Sequence, residues 1–458
     1  MILSEVFERF VEESPVTVMA RAALENALPP SAIDALFEDV AERQYTRALL
    51  FSDVVDLMAM VVCRARPSIN AAYKKYAEAL GVTRKAVYNK INGMEPAVGA
   101  ALVRHTAAAV APVVEAMGGR REPWLPGYRV RVLDGSHLPG TEHRLKPLRT
   151  ERAGALPGQA LVVFDPESML VIDAIPCEDG HAQERSMTAR VLALVGPGEL
   201  WVADRNSCTT ALLFGIVGRG GSFVIRQHGS TLTWEAAGPR EARGRCDTGE
   251  VFEQPVRLTG PEGRTLLVRR ITVVLDKPTR DGDREVHVLT DLPEGVADAV
   301  VVAGIYRKRW TLETAFQEME ATLNGEIAAL GYPRAALFAL CVALVAYNVM
   351  SVAKAALRSV HGTEAIDAGV SGWDLAEEVT GTTRGMMIAI PEDEWTVFHG
   401  LPAWEMGEVL QDLARRVRLS HYRKQPRGPK KPKPKKASGY EKKHLSTAKL
   451  LKDQHNHT

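Results

Sequence analysis

The sequence predicts an α+β protein with a helical N-terminal domain, an α/β core carrying a β-rich insertion, a helical C-terminal part and a basic tail. Three observations carry this. Apolar residues recur at three- and four-residue intervals through the first 120 positions. Short runs of β-branched residues bounded by Gly and Pro begin after 121 and alternate with helical stretches. Beyond 422 the chain becomes rich in Pro and Lys. With 458 residues, 46% apolar and 25% charged, wholesale disorder and collagen-like repeats are excluded, and roughly two to four domains are expected.

Residues 1–120 show helical periodicity in Val6-Phe10-Val11 and again through Leu36, Val40, Leu49, Val54, Leu57 and Val61. Gly118-Gly119 and Pro123 break the pattern and place a boundary near 121. Residues 121–227 then read as three strands, helix, strand, helix, strand. The strands are Val130 to Asp134, Leu161 to Asp165, Met169 to Ile175, Leu200 to Asp204 and Ser222 to Arg226. Residues 228–290 form the β-rich insertion, 291–360 return to helix, 361–422 continue helical, and 423–458 are expected to be extended or disordered. The apolar run Ala335 to Ala353 is nearly long enough to span a bilayer. It carries Tyr347, Asn348 and Ser351, and no second such run is evident, so it is predicted as a buried helix.

Five cysteines with no two closer than 31 positions make neither a disulfide framework nor a zinc pattern. The N-terminus is charged too early for a signal peptide, and a cytoplasmic protein is expected. The net charge of +1 conceals a strong asymmetry. Residues 415–452 hold 15 Lys/Arg and one acid, Glu441, leaving 42 basic and 54 acidic residues in 1–414, a net of −12. An acidic body with a cationic tail fits phosphate contact better than the total suggests.

Two strands end alike, in an apolar run, then Asp, then polar turn formers: Leu133-Asp134-Gly135-Ser136 and Ala203-Asp204-Arg205-Asn206. An Asp there projects into the crevice where a sheet meets its loops, although either one alone could simply cap the next turn. Two carboxylates converging in such a crevice repel each other unless a divalent cation neutralises them, and oxygen donors suit Mg²⁺ or Mn²⁺. On a helix, Tyr306, Arg309 and Glu313 share one face, which fits a site holding metal and phosphate together; a surface Arg–Glu pair is the bland alternative.

Together these residues resemble the DDE transposases of bacterial insertion sequences, in the branch whose third acid sits in a Y-x2-R-x3-E-x6-K signature. The separations of 70 and then 109 residues between Asp134, Asp204 and Glu313 fit that branch, with 228–290 as its β-rich insertion. The resemblance covers roughly residues 125–350. It implies a ribonuclease-H-like core, and the strand order above is the one that fold requires. It also implies Asp134, Asp204 and Glu313 as catalytic residues holding two Mg²⁺ or Mn²⁺ ions, with Tyr306, Arg309 and Lys308 on DNA phosphates. One position departs: after six intervening residues beyond Glu313 the signature expects Lys, and the chain has Glu320. Seven residues of helix rise about 10.5 Å, too far for Glu320 to replace Glu313 at ions about 3.5–4 Å apart.

Thr83 to Gly93 resembles the second helix of a helix-turn-helix, with Thr83 as N-cap and Gly81-Val82 as the turn after a helix at 69–80. Arg84, Lys85, Tyr88 and Lys90 would face DNA; an ordinary helical hairpin with a solvated basic face is the competing explanation. His181 and Glu184 stand at i and i+3 where a helix begins, as a helix-start cap or a fourth metal contact. Trp201 and Phe316 are expected in the core, and Asp291 is a spare strand-end carboxylate. The resemblance implies a transposase that cuts and rejoins its element's ends, with double-stranded DNA as partner (the inverted-repeat ends and the target), a homodimer on DNA and no membrane. A ribonuclease-H-like nuclease without joining activity, or an inactive DNA-binding relic, are the rivals.

Overall fold

The computed structural model describes residues 4–44, 46, 48–150, 153–279, 282–310, 317, 319, 322–425 and 444–455. The N-terminal region is helical: α1 (Glu5–Glu13), α2 (Pro15–Ala27), α3 (Pro30–Val40), α4 (Phe51–Val62), α5 (Ile69–Leu80), α6 (Arg84–Asn92) and α7 (Pro96–Ala116). Pro opens α2, α3 and α7, where its missing N–H costs nothing. Phe37, Phe51 and Phe338 stack in series at 4.9 and 5.9 Å and tie α3 and α4 to a long helix, α11 (Pro333–His361). Each is fully buried, worth roughly 1.5–3 kcal/mol apiece.

The central sheet has ten strands: β1 (Arg129–His137), β3 (Gln159–Asp165), β4 (Leu170–Cys177), β5 (Glu199–Ala203), β6 (Ser222–Arg226), β7 (Thr233–Ala236), β8 (Glu241–Cys246), β9 (Gly249–Thr259), β10 (Thr265–Leu275) and β11 (Glu285–Thr290). Its order is β4-β3-β1-β5-β6-β11-β10-β9-β7, with β8 also on β9. β1, β5 and β6 are parallel, and β3 runs antiparallel to β1 with β4 antiparallel to β3, as a ribonuclease-H-like core requires. All five residues of β5 are buried, and the run Leu200 to Ala203 is apolar throughout, as suits a strand covered by helices on both faces. On one face Leu133, Trp201 and Phe223 pack against α9 (Thr210–Val217) and α8 (Thr188–Leu192). On the other, Val132, Val162 and Val202 pack with α7, α11 and α10 (Ala299–Lys308).

The β-rich segment extends this same sheet, because β11 pairs antiparallel with β6. Arg269 on β10 fastens it to α10. Its guanidinium meets Glu253 on β9 at 2.7 and 2.9 Å and donates to the carbonyls of Leu292 and Ala297, just before the helix.

Two helices, Pro96–Ala116 and Pro333–His361, are long and apolar enough to cross a membrane, one more than expected. Both are mostly buried inside the protein. Asn348, polar in the middle of α11, accepts from Val171 N–H and donates to Val171 C=O, each at 2.8 Å, and so covers the edge of β4. The tail also departs from expectation. Residues 426–443 lie outside the described residues, but His444–Ser446 form β12, parallel to β2 (Gly154–Leu156), and a helix follows at Thr447–His455. Lys449 meets Asp179 at 3.0 Å. The prolines have ended by 444, and Leu445, Leu450 and Leu451 supply apolar side chains that the Lys/Pro stretch lacks.

Candidate active site

β1 and β5 are in register with Leu133 opposite Ala203, so the next residues along are Asp134 and Asp204. Both share the strand parity of Val132 and Val202 and face the α10 side of the sheet. The strand expected to stop at Asp134 instead continues to His137 along β3, while β5 ends at Ala203. Asp134 therefore stands where the sheet opens between β1 and β5. Its Oδ1 accepts the Gly135 N–H at 3.0 Å. Asp204 also performs the capping role open to it, accepting Asn206 N–H at 2.8 Å in the turn after β5.

Arg309 follows directly on α10 and is 7% exposed. Its guanidinium donates to Asp134 Oδ2 at 3.0 Å. Tyr306, one turn earlier, hydrogen-bonds Arg309, and burial pushes its phenol up against the opposing pull of Arg309. The structure thus brings Tyr306, Arg309, Asp134 and Asp204 together.

Glu184 joins them, from the 3-10 turn Glu184–Met187. Burial and the charges of Asp204 and Asp134 push its carboxyl up to about 7, against an Asn206 hydrogen bond and Arg309. The missing side chain of Gly135 makes room, since a Cβ there would lie 2.5 Å from Glu184 Oε1. Glu184 is not the cap of the turn, since Gln183 precedes it as N-cap without a side-chain bond. His181 is exposed and tied to Asp179 instead.

Lys308 is separate from this group. It is exposed, 5.9 Å from the Trp124 ring, and lines a different cleft. Glu313, Phe316 and Glu320 lie outside the described residues. Trp201 is buried as expected and donates to Glu199 at 3.2 Å. Asp291 accepts the Phe223 N–H at 2.7 Å and serves the sheet.

The α5–α6 hairpin forms with Thr83 capping Ala86 N–H at 3.2 Å and Gly81 in the left-handed region at φ 60°. Arg84 and Lys85 are exposed at the start of α6, and Tyr88 is half-buried. Lys90 differs from the outward placement expected, because its ammonium sits over Phe37 at 3.9 Å. Gly93 ends α6 at φ −93°, not in the left-handed region, and a Cβ there would collide with Gln44 Nε2.

Among the described residues no group of three or more His, Cys, Asp or Glu is arranged to hold a metal ion. The donor chemistry nevertheless fits a hard divalent cation. Asp134, Asp204 and Glu184 present carboxylate oxygens near enough for the two aspartates to raise the proton affinity of Glu184, with the Arg309 guanidinium offsetting them. Residues 125–349 match the family model of the transposase DDE domain, which supports a DDE transposase family for this segment. No curated protein matches the chain.

Proposed function

We propose that the chain is a DNA transposase of the bacterial insertion-sequence type, which binds its element's ends and catalyses strand cleavage and transfer. The observation that supports it best is the in-register pair Asp134 and Asp204 beside Arg309, inside the segment that matches the transposase DDE domain. Asp134, Asp204 and Glu313 would hold two Mg²⁺ or Mn²⁺ ions, with Glu184 adjoining them. Such ions supply activation of water or a DNA 3′-hydroxyl and charge relief at the leaving oxygen.

The chain's own groups orient the substrate. Arg309 is suited to a bidentate phosphate contact once it leaves Asp134, and Tyr306, its hydrogen-bond partner, would hold the guanidinium in place. Arg84 and Lys85 stand exposed for DNA at the start of α6, and two copies of the chain would pair on the DNA. Strand transfer with pre-cut ends in Mn²⁺ tests the proposal. Joined product supports it, cleavage without joining indicates a nuclease, and binding alone indicates an inactive relic.

A further inference from the structure

A cleft of about 690 Å³ is lined by Arg121, Arg307, Lys308, Lys354, Arg358 and Lys424, and among the described residues Asp367 is the carboxylate in its lining. The floor is the most informative part. Arg358, on α11, is 4% exposed. Its Nε donates to Gly119 C=O at 3.1 Å, and one terminal nitrogen lies 3.8 Å from Asp367. The other terminal nitrogen is buried with no hydrogen-bond partner among the described residues, and so is Arg121 Nε. Asp367 is already engaged by Arg121 at 2.6 Å, and its backbone carbonyl takes Lys424. Arg307 pairs with Asp247 at 2.6 Å. A buried guanidinium with an open donor is costly without an acceptor, and the open donors of Arg358 and Arg121, with the exposed ammonium groups of Lys308 and Lys424 at the rim, select an anion.

We propose that this cleft is a second phosphate-binding site that holds the backbone of the DNA beyond the reacting strand. This rests on the transposase reading above. Lys308 and Trp310 line the cleft while Arg309 between them reaches Asp134, so DNA over the carboxylates passes the cleft within a short span. Lys424 lies just before the cationic stretch Arg427 to Lys436, so the tail's charge begins at the cleft wall. The cations run from a buried floor at Arg358 to an exposed rim at Lys308 and Lys424, a spread suited to a polymer backbone.

The test uses the full chain and a short fluorescent duplex, with affinity measured by polarisation across a salt series. Lys308→Gln, Lys354→Gln and Lys424→Gln combined should make the slope of log K against log salt shallower by about 0.9 for each phosphate no longer neutralised. Arg358→Gln should weaken binding as well, and the rim variant keeps the test valid if the buried change impairs folding. Unchanged affinity and slope in the rim variant, with wild type still binding duplex, would overturn the cleft assignment alone. A wild-type chain that holds no duplex at low salt would instead remove the transposase reading. Inorganic phosphate distinguishes the remaining source. If it raises the melting temperature of wild type but not of the rim variant while both bind duplex equally, the cleft serves a soluble anion and the proposal fails.

Discussion

Arg309 donates to Asp134 across 175 residues of sequence at 3.0 Å, and neither side chain is more than 17% exposed. The pair sets the charge state of the site. Removing the cation leaves Asp134 facing Asp204 and Glu184 without the Arg309 charge, and losing one partner of a largely buried pair costs roughly 3–5 kcal/mol. Arg309→Ala should therefore lower the melting temperature, and Mn²⁺ should restore part of the loss by replacing the missing positive charge. Adding Asp134→Asn to Arg309→Ala should recover stability without metal. Thermal unfolding of the single and double variants checks this, and additive losses would show that the two residues are not coupled.

Asp134→Ala and Asp204→Ala should each reduce strand cleavage to background while DNA-end binding stays within a few-fold. Binding depends on cations elsewhere on the protein, whereas the chemistry depends on the carboxylates. A cleavage assay run beside a gel-shift assay separates the two effects. Undiminished cleavage by the Asp204→Ala protein would remove the assignment.

Glu184 should contribute to divalent-ion affinity without being needed for the fold. Glu184→Gln removes one of three crowded carboxylates, so the metal-free protein should melt at the same temperature or higher. The upward shift that Mn²⁺ gives to wild type should shrink in the variant. Equal Mn²⁺ titrations of the two proteins would confine Glu184 to a structural role.

The two aspartates were legible because an apolar run that ends in Asp and turn formers marks the mouth of a buried strand, whatever lies around it. Glu184 was only half legible, since its placement depends on the absent side chain of Gly135, 49 positions away. Lys90 looked like a surface cation because Phe37, the ring beneath it, belongs to a helix some 50 residues earlier. The strands of 228–290 were visible from their β-branched runs. Their place in the same sheet was not, because it rests on the pairing of Leu289 with Ile225. The return of the tail to β2 joins Leu445 to Ala155, a pairing too distant for local pattern to signal. Helix and strand periodicity is written locally, whereas register and docking depend on residues far apart in the chain.

His287 on β11 offers a pH test away from the carboxylates. Its Nδ1 lies 3.0 Å from Thr272 Oγ1, and burial, then the charge of Arg270, pull its pKa from 6.5 to about 4. The unfolded chain thus binds a proton between these values that the folded chain does not. The stability from His287 is complete above about 6.5 and is lost as pH falls toward about 4. His287→Gln should flatten that limb of a denaturant-midpoint against pH curve, and an unchanged limb would mean that other groups govern it.

The tail should supply affinity and α6 should supply discrimination. Replacing Lys430, Lys431, Lys433, Lys435 and Lys436 with Gln leaves His444–Ser446 free to pair with β2, so the change tests charge and not docking. The salt slope for any duplex should become shallower by up to about 4.5, since each phosphate that a lysine neutralises adds about 0.9 to it. Arg84→Ala with Lys85→Ala should weaken binding to the element's ends more than to unrelated duplex, because these residues stand exposed at the start of α6, the end of a recognition helix that meets base edges. Salt titrations on both kinds of duplex distinguish the contributions. If the α6 variant weakened both duplexes equally, α6 would be a second backbone contact and end recognition would reside elsewhere.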